Sequence, residues 1–407
     1  MLKYLAPWLT PRRLRYAWLT AGILWAAWLL SVALGPGNLD LAGQPVGTDY
    51  LQFYAAGRTL ARGASPRLYD MAYQSALEQE IIGPGLTSYH AFITPPFLAA
   101  LFVPLAALPY GWSFVIWSAL GLLCLWFSLR LLGVAAPGRA CLWALTFFPV
   151  FAVISFGQNA LLSLLLLSAT YRLWRDQRPF VAGLLCSLTL YKPQLCLGVA
   201  VLWLLAWRRD WGALVGLGVG GVALVGLCFG LLPEASQAYL EFARTVLPDL
   251  PTWQDFPLWH LHTARGFWRL LLPMAPRLGD GLALLAGGIG LWAFMRWERR
   301  FRESPRLMFA AAIALTLWLT PHAMIYDWAL WLIPALLLWE ALPQYRDRWR
   351  VFFALLWLAA LLSGPLTVAQ LRVLPFALQL SVPVLALVLY RLGSWGLRGD
   401  LVAPHQS

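Results

Sequence analysis

The sequence predicts an all-α, polytopic integral membrane protein with about twelve transmembrane helices. Of its 407 residues, 60% are hydrophobic and only 12% are charged, and the mean hydropathy is +0.67. Soluble domains carry about 25% charged residues, whereas a membrane-spanning helix needs about 20 apolar residues in a row. Apolar runs of this kind recur along the chain. They exclude a soluble enzyme, a disordered scaffold and a disulfide-stapled secreted domain, so we treat 1–407 as a single polytopic domain.

The predicted spans follow the apolar runs in chain order. They are 16–35, 112–130, 140–156, 158–174, 179–191, 194–207, 211–232, 281–297, 306–320, 325–343, 351–366 and 373–392. One further apolar stretch, 91–108, is rich in proline, so we expect it to lie in the outer interface or to re-enter rather than to cross. Two long outer loops, 36–111 and 233–280, then remain, and we expect interfacial helices in the first of them.

The basic residues predict the orientation of the chain. The net charge of +12 comes from short arginine clusters between the apolar runs. With 91–108 outside the membrane core, 21 of the 30 Lys and Arg fall on the inner side and 9 on the outer side. Cytoplasmic loops of membrane proteins carry such an excess. We therefore expect a multi-pass protein of the cell inner (plasma) membrane, with both termini in the cytoplasm and with no nucleic acid partner.

The first outer loop begins with a helix signal and a carboxylate. Thr48 or Asp49 can cap this helix, and Tyr54 and Arg58, four residues apart, share one of its faces. Asp49 stands soon after the first span, where a carboxylate can accept a proton from an attacking sugar hydroxyl. The sequence is compatible with both roles of Asp49, the helix cap and the general base.

Five segments, taken in order, resemble glycosyltransferase family 87. They are GTDYLQFYAAGRTLARGASPRLYD, TPPFLAALFVPLAALP, GQNALLSLLLL, AGLLCSLTLYKPQ and TPHAMIYD, running from about residue 47 to about residue 345. The resemblance implies an integral membrane mannosyltransferase of the GT-C fold that uses polyprenyl-phosphate-mannose as donor, with Asp49 as the catalytic carboxylate. Thr94 stands where an aromatic residue commonly precedes the paired prolines, so details of donor and acceptor stay open.

Transfer from a lipid phosphate also needs groups that stabilise the leaving phosphate. Lys192 is one of two lysines in the chain and lies between two short spans. A cation at membrane depth indicates function, although a lysine can also extend its charge to the interface. Tyr191 and Gln194 flank Lys192 as possible hydrogen-bond donors, and His322 is another candidate, in an outer turn.

Other polar residues on the outer side are candidates for binding the sugar or the acceptor. They are Tyr54, Arg58, Gln158, Asn159, Asp327 and Trp259, with Trp253, Asp255, His260 and His262 as further possible lining of an acceptor site. Gln158 and Asn159 can equally cap the helix that follows them. The tryptophans can equally belong to an interfacial aromatic belt.

No cofactor motif is visible in the sequence. It has no Walker motif and no zinc-binding helix, and the glycine-rich stretch 218–226 lies inside an apolar run, where small residues let helices approach closely. A nucleotide-sugar donor therefore has no predicted site. His322 has no second ligand at i+4, so no metal site is predicted, and dependence on a divalent cation is left open.

Three functions fit these observations. The first is an inverting membrane glycosyltransferase that moves a hexose, with mannose expected, from a polyprenyl-phosphate sugar to a glycolipid or glycan acceptor on the extracytoplasmic side. The second is a polytopic transporter or lipid flippase, which predicts ionisable residues within the spans. The third is an inactive assembly partner in an envelope-glycan pathway. Since almost all charges fall in loops, we favour the first.

Overall fold

The computed structural model describes residues 9–83, 85–249 and 256–397, and within them the regular elements are helical. Their extended pairing is limited to two isolated bridges, between Leu39 and Pro45 and between Leu261 and Met324. The all-α prediction is confirmed for this part of the chain.

The helices follow the chain in order, most of them joined by short turns, with longer connections at 35–49, 83–95 and 246–263. Those of the first half are α1 (Pro11–Leu34), α2 (Tyr50–Ala61), α3 (Met71–Ile82), α4 (Pro96–Ala106), α5 (Tyr110–Leu131), α6 (Pro137–Ala144), α7 (Phe148–Phe156), α8 (Ala160–Arg175), α9 (Pro179–Ser187) and α10 (Leu197–Leu205). Those of the second half are α11 (Trp207–Leu231), α12 (Pro233–Thr245), α13 (Ala264–Leu271), α14 (Pro276–Phe301), α15 (Pro305–Leu319), α16 (Leu332–Ala341), α17 (Arg346–Leu371) and α18 (Ser381–Leu397).

Five helical segments of the described chain are long and apolar enough to cross a membrane. They are Arg12–Leu34, Tyr110–Leu131, Trp207–Leu231, Pro276–Phe301 and Pro343–Leu371, and a bent pair formed by α6 and α7 raises the number to six. Other apolar helices in the bundle are shorter, such as Pro305–Leu319. The protein is therefore a helical membrane protein, and the number of twelve spans stays a prediction.

Several predicted spans are not single α-helices. The span expected over 373–392 becomes helical only at Ser381, and those expected over 179–191 and 194–207 each combine a 3-10 turn with a nine-residue α-helix. The helix expected over 140–156 is bent by 81° between α6 and α7, where the chain runs through Thr146 and Phe147 to Pro149 in the first turn of α7. Proline cannot donate the backbone hydrogen bond that would continue α6. The helix expected over 325–343 begins with a 3-10 turn, Ile325–Trp331, before α16. That turn carries Asp327, whose buried side chain accepts hydrogen bonds from the Met324 backbone N–H and from Lys192.

The apolar stretch 91–108 contains only a short helix. This helix, α4, has 11 residues. At 1.5 Å per residue it measures about 16 Å, roughly half of the 30 Å hydrocarbon core. Its length supports the expectation that this stretch does not cross the membrane by itself.

The long helices present apolar side chains outward. On α11, Val222 and Leu231 are each 75% exposed, and on α14 Leu284 is 79% exposed. A soluble protein seldom leaves so many large apolar side chains uncovered, whereas lipid covers them in a membrane. Glycines bring α9 and α11 together, because a Cβ on Gly183 or Gly216 would collide with the backbone of the other helix.

Two packed cores meet at the candidate site. The larger core lies among α7, α8, α10, α15 and the 3-10 turn Ile325–Trp331. The smaller core belongs mainly to the first outer loop, where α2 packs on α4, and it includes Tyr50, Phe102 and Tyr191. The start of α2 therefore lies against the larger core, at the seam between the two.

Candidate active site

Asp49 lies at the seam, immediately before α2, and is half-buried. Its backbone N–H donates to the Phe156 carbonyl oxygen at 2.9 Å, and the Gln158 side-chain amide donates to Asp49 Oδ2 at 2.8 Å. The helix-cap interpretation of this side chain is wrong, because the carboxylate makes no capping bond. Asp49 has helical backbone angles (φ −83°, ψ −15°), whereas a capping residue is usually extended.

Two left-handed glycines allow this approach. Gly47 (φ +70°) and Gly157 (φ +71°) precede the two hydrogen-bonded residues in their own segments. A Cβ on either glycine would press on Tyr50 Cβ or on the Phe114 ring. Glycine is required here both for the backbone angle and for the close contact.

The Asp49 carboxylate is held in a state suited to accepting a proton. Burial raises the pKa of Asp49 from 3.8 to about 6, while the Gln158 hydrogen bond and the Lys192 charge lower it and the Asp327 charge raises it. A pKa near 6 leaves the group mostly ionised at neutral pH, yet more basic than an exposed aspartate. Since Gln158 occupies Oδ2, Asp49 Oδ1 makes no hydrogen bond within the described chain and is available to a substrate hydroxyl.

Lys192 forms a buried ion pair. Its Nζ lies 2.9 Å from Asp327 Oδ1 and 4.9 Å from the centre of the Tyr326 ring. The two charged side chains are only 12% and 2% exposed, so Lys192 does not extend to the interface. Asp327 Oδ2 also accepts the Met324 backbone N–H at 3.1 Å. The predicted cation is therefore present near Asp49, but a carboxylate largely balances its charge.

His322 and Gln194 lie in segments that contact each other. The Gln194 amide donates to the His322 carbonyl oxygen at 3.3 Å, which joins the Lys192 segment to the 320–324 turn. The His322 ring lies 5.9 Å from that of Phe256. Burial lowers the pKa of His322, so the ring is neutral at neutral pH and can offer a hydrogen bond but not a charge.

The second outer loop reaches the seam through His260. Its ring lies 5.6 Å from Phe156, 5.9 Å from Tyr326 and 5.0 Å from Trp259. Burial lowers the pKa of His260 to about 4. Trp259 is 37% exposed, and this leaves part of its ring free to contact a ligand. The candidates Trp253 and Asp255 lie outside the described residues, and His262 is fully buried.

Asn159 and Tyr191 lie behind Gln158. The Tyr191 hydroxyl bonds to Ser163 Oγ at 2.7 Å, so it is engaged within the protein. Asn159 is only 1% exposed, and neither atom of its side-chain amide has a hydrogen-bond partner among the described residues. Neither side chain of the Gln158–Asn159 pair caps α8. The capping interpretation is wrong here too, and the Asn159 amide is buried without a partner among the described residues.

Tyr54 and Arg58 are placed inside the first outer loop. They share a face of α2 as predicted, since Arg58 Nη1 donates to the Tyr54 hydroxyl at 3.2 Å. The Tyr54 hydroxyl in turn donates to the Leu108 carbonyl oxygen, and Arg58 lies 3.7 Å from Glu80. Within the described chain these two side chains bond to the loop itself and not to Asp49 or Lys192.

Arg265 is a residue that the sequence analysis missed. The Leu261–Met324 bridge and a 2.8 Å bond from the His262 N–H to the Ala323 carbonyl oxygen pin the start of α13 beside the His322 turn. Arg265 touches Asp280 through Nε at 3.1 Å, while Arg269 binds both oxygens of the same carboxylate at 2.9 and 2.8 Å. One carboxylate thus faces two guanidinium groups, and one positive charge remains next to the turn.

Within the described residues, no group of three or more His, Cys, Asp or Glu side chains is placed to hold a metal ion. The groups gathered at the seam are instead a carboxylate, amides, neutral imidazoles and cations. This set can accept a proton and can bind an anionic phosphate.

The sequence model of glycosyltransferase family 87 matches residues 92–321, which is more than half of the chain. Lys192, Arg265 and Gln158 lie inside the matched segment, and Asp49 lies before it. No curated protein and no solved structure matches the chain. The long apolar helices described above agree with the membrane location of such an enzyme. The chain therefore belongs to glycosyltransferase family 87 and is a membrane-embedded glycosyltransferase.

Proposed function

We propose that the protein is an inverting glycosyltransferase that moves a hexose, mannose in the first instance, from a polyprenyl-phosphate sugar to a glycolipid or glycan acceptor. The reaction takes place on the extracytoplasmic side of the inner (plasma) membrane. The observation that carries the proposal is the half-buried Asp49 carboxylate, held by Gln158 at the seam and close enough to Lys192 for their charges to interact.

In this mechanism Asp49 is the general base. Its free Oδ1 accepts the proton of the acceptor hydroxyl as the hydroxyl oxygen attacks the anomeric carbon of the donor. The bond from that carbon to the phosphate oxygen breaks, and the polyprenyl phosphate leaves with the electron pair. Attack from the face opposite the phosphate inverts the configuration, so a β-linked lipid mannose gives an α-mannoside.

The departing phosphate needs positive charge and hydrogen-bond donors. Lys192 supplies an ammonium group already oriented by Asp327, and the neutral His322 supplies a donor. Because Asp327 balances Lys192, we assign the uncompensated positive charge to Arg265, at the start of α13. Arg265 acts in binding the phosphate and takes no part in proton transfer.

The sugar is placed near Asn159 and Trp259. The partly exposed Trp259 ring can stack on a sugar face. The Asn159 amide is buried and unpartnered among the described residues, so it can bond to a sugar hydroxyl only if its surroundings rearrange when the substrate binds. In the glycine-rich helix α11, Gly216 and Gly220 pack against α9. These glycines therefore serve helix packing and do not form a phosphate-binding loop for a nucleotide sugar, which supports a lipid donor.

The transporter or flippase alternative predicted ionisable residues at membrane depth. The buried Lys192–Asp327 pair fits that expectation, but the pair lies beside Asp49 and the family match is to glycosyltransferases. A role in sugar transfer therefore accounts for the same charges.

A donor comparison tests the proposal. The full-length protein is reconstituted in liposomes with a membrane glycolipid extract and receives radiolabelled polyprenyl-phosphate-mannose, polyprenyl-phosphate-glucose or guanosine diphosphate mannose. We expect transfer from the first and a product that α-mannosidase cleaves. Transfer from the nucleotide sugar, or a product cleaved only by β-mannosidase, would contradict the donor or the stereochemistry.

A further inference from the structure

One outward face of α14 changes from apolar to strongly basic along its length. Leu278, Leu285, Ile289 and Trp292 follow each other at helical spacing and are between 54% and 61% exposed. The same face continues, after one more turn, into Arg296, Arg299 and Arg300. A lipid-facing stripe thus ends in three guanidinium groups.

A concavity marks this end of the helix. It has a volume of about 530 Å³ and is lined by Trp292, Arg296, Arg299 and Arg300. The Arg296 guanidinium lies 5.1 Å from the centre of the Trp292 ring. A guanidinium in such a cation–π contact can still donate its N–H groups to an anion.

These three arginines differ from several in the other basic clusters, although Arg208 and Arg346 also form no ion pair within the described chain and also contact a tryptophan ring. Arg172 binds Asp176, Arg209 binds Asp210, and Arg350 binds Asp347. On α14 itself, the Glu298 carboxylate pairs with Arg302 at 3.5 Å. Within the described chain, no ion pair is formed by Arg296, Arg299 or Arg300, so three positive charges converge on one concavity without a carboxylate.

Two general effects explain part of this arrangement. Basic residues are favoured at the C-terminal end of a helix by its dipole, and they are frequent on the cytoplasmic side of membrane proteins. Neither effect requires a tryptophan beneath one arginine, a concavity between the side chains or the lack of acidic partners. The combination points to a bound anion.

We propose that this face of α14 binds an anionic phospholipid, with its phosphate against the three guanidinium groups and its acyl chains along the apolar stripe. The stripe from Leu278 to Trp292 covers 15 residues of helix, a rise of about 21 Å. One leaflet contributes about 15 Å of hydrocarbon, so the stripe is long enough for the chains of one lipid. The site is separate from Asp49 and does not depend on the proposed donor.

Native mass spectrometry of the full-length, detergent-solubilised protein tests the site with two probes, phosphatidylglycerol and phosphatidylcholine. The triple variant Arg296→Gln/Arg299→Gln/Arg300→Gln is compared with Arg12→Gln/Arg13→Gln/Arg15→Gln, which removes the same charge at the start of α1. We expect the wild type to prefer phosphatidylglycerol. Each arginine near an anionic lipid contributes about 1 kcal/mol, so the α14 variant should lose roughly fivefold affinity per arginine. The α1 variant should stay within about twofold of the wild type.

Three results would overturn the proposal. Equal binding of both lipids by the wild type would exclude a charge-selective site. An equal loss in the two variants would leave only a general effect of net charge. Displacement of phosphatidylglycerol by millimolar inorganic phosphate would assign the concavity to a free anion instead. If the triple variant fails to fold, the exposed single substitution Arg299→Gln gives the same comparison, with a loss of roughly fivefold expected.

Discussion

The Gln158 side-chain amide donates a 2.8 Å hydrogen bond to the carboxylate of Asp49, a residue 109 positions earlier in the chain. This bond joins the first outer loop to the helical bundle at the point where their two cores meet. It occupies one carboxylate oxygen and favours the ionised form. Gln158 is therefore a positioning residue for the proposed base.

The first prediction concerns the dependence of transfer on pH. The pKa of Asp49 is about 6, so activity should rise as pH increases through 6 and level off above 7. Gln158→Leu removes a bond to the ionised carboxylate, and the pKa should rise further. The acid limb of the rate profile should move to higher pH, with activity recovered at pH 8.5. An unmoved limb would contradict the role assigned to Gln158.

The second prediction tests the left-handed glycine beside Gln158. Gly157→Ala should lower transfer at least about tenfold, because the new Cβ meets Tyr50 and moves Gln158 away from Asp49. Gly37→Ala is the matched control, since Gly37 also has a positive φ (+63°) but has open space around its missing Cβ. It should cost about 1 kcal/mol of stability and leave transfer unchanged. Equal effects of the two substitutions would indicate backbone strain alone.

The third prediction concerns the buried ion pair. Lys192→Met leaves the Asp327 carboxylate buried without its cation, and the loss of such a partner costs about 3–5 kcal/mol. The thermal midpoint should fall, and adding Asp327→Asn to the same chain should recover much of it. Transfer should stay low in both variants because the ammonium group is missing. A double variant less stable than Lys192→Met would show that Asp327 does not depend on Lys192.

The fourth prediction separates Arg265 from other outer cations. Arg265→Gln should raise KM for the polyprenyl-phosphate sugar about tenfold. The substitution removes one hydrogen bond to a charged group, and the loss of such a bond costs about 1.5 kcal/mol. The control Arg277→Gln removes the same charge from an exposed position at the start of α14. Its KM should not change. A fall in kcat with an unchanged KM in Arg265→Gln would instead place Arg265 in the chemical step.

Local sequence patterns account for much of the fold. Long apolar runs predict α1, α5, α11 and α14, because period and length are properties of the segment itself. The four-residue spacing of Tyr54 and Arg58 likewise predicts their shared face. The bend near Pro149 is not predicted, because the apolar run 140–156 does not reveal the angle between the two helices it forms.

The partners in the site could not be predicted in this way. Gln158, Asp327 and Arg265 reach the seam through contacts between distant segments, and no local spacing encodes such contacts. The tendency of Asp49 and Asn159 to cap helices is a statistical property of their residue types. In this fold neither side chain makes a capping bond, and this difference from the sequence expectation coincides with the candidate site.

The most direct test of the central claim is sugar transfer by purified, reconstituted Asp49→Asn, with wild type and Glu80→Gln measured beside it. Glu80 is a half-exposed carboxylate of the same outer loop and serves as the matched control. Asparagine can keep the contact with Gln158, so the variant should retain the elution profile and thermal midpoint of the wild type. We expect transfer from polyprenyl-phosphate-mannose to fall at least about 100-fold in Asp49→Asn and to stay unchanged in Glu80→Gln. Transfer within a few fold of the wild type by a folded Asp49→Asn would contradict the assignment of Asp49 as the general base.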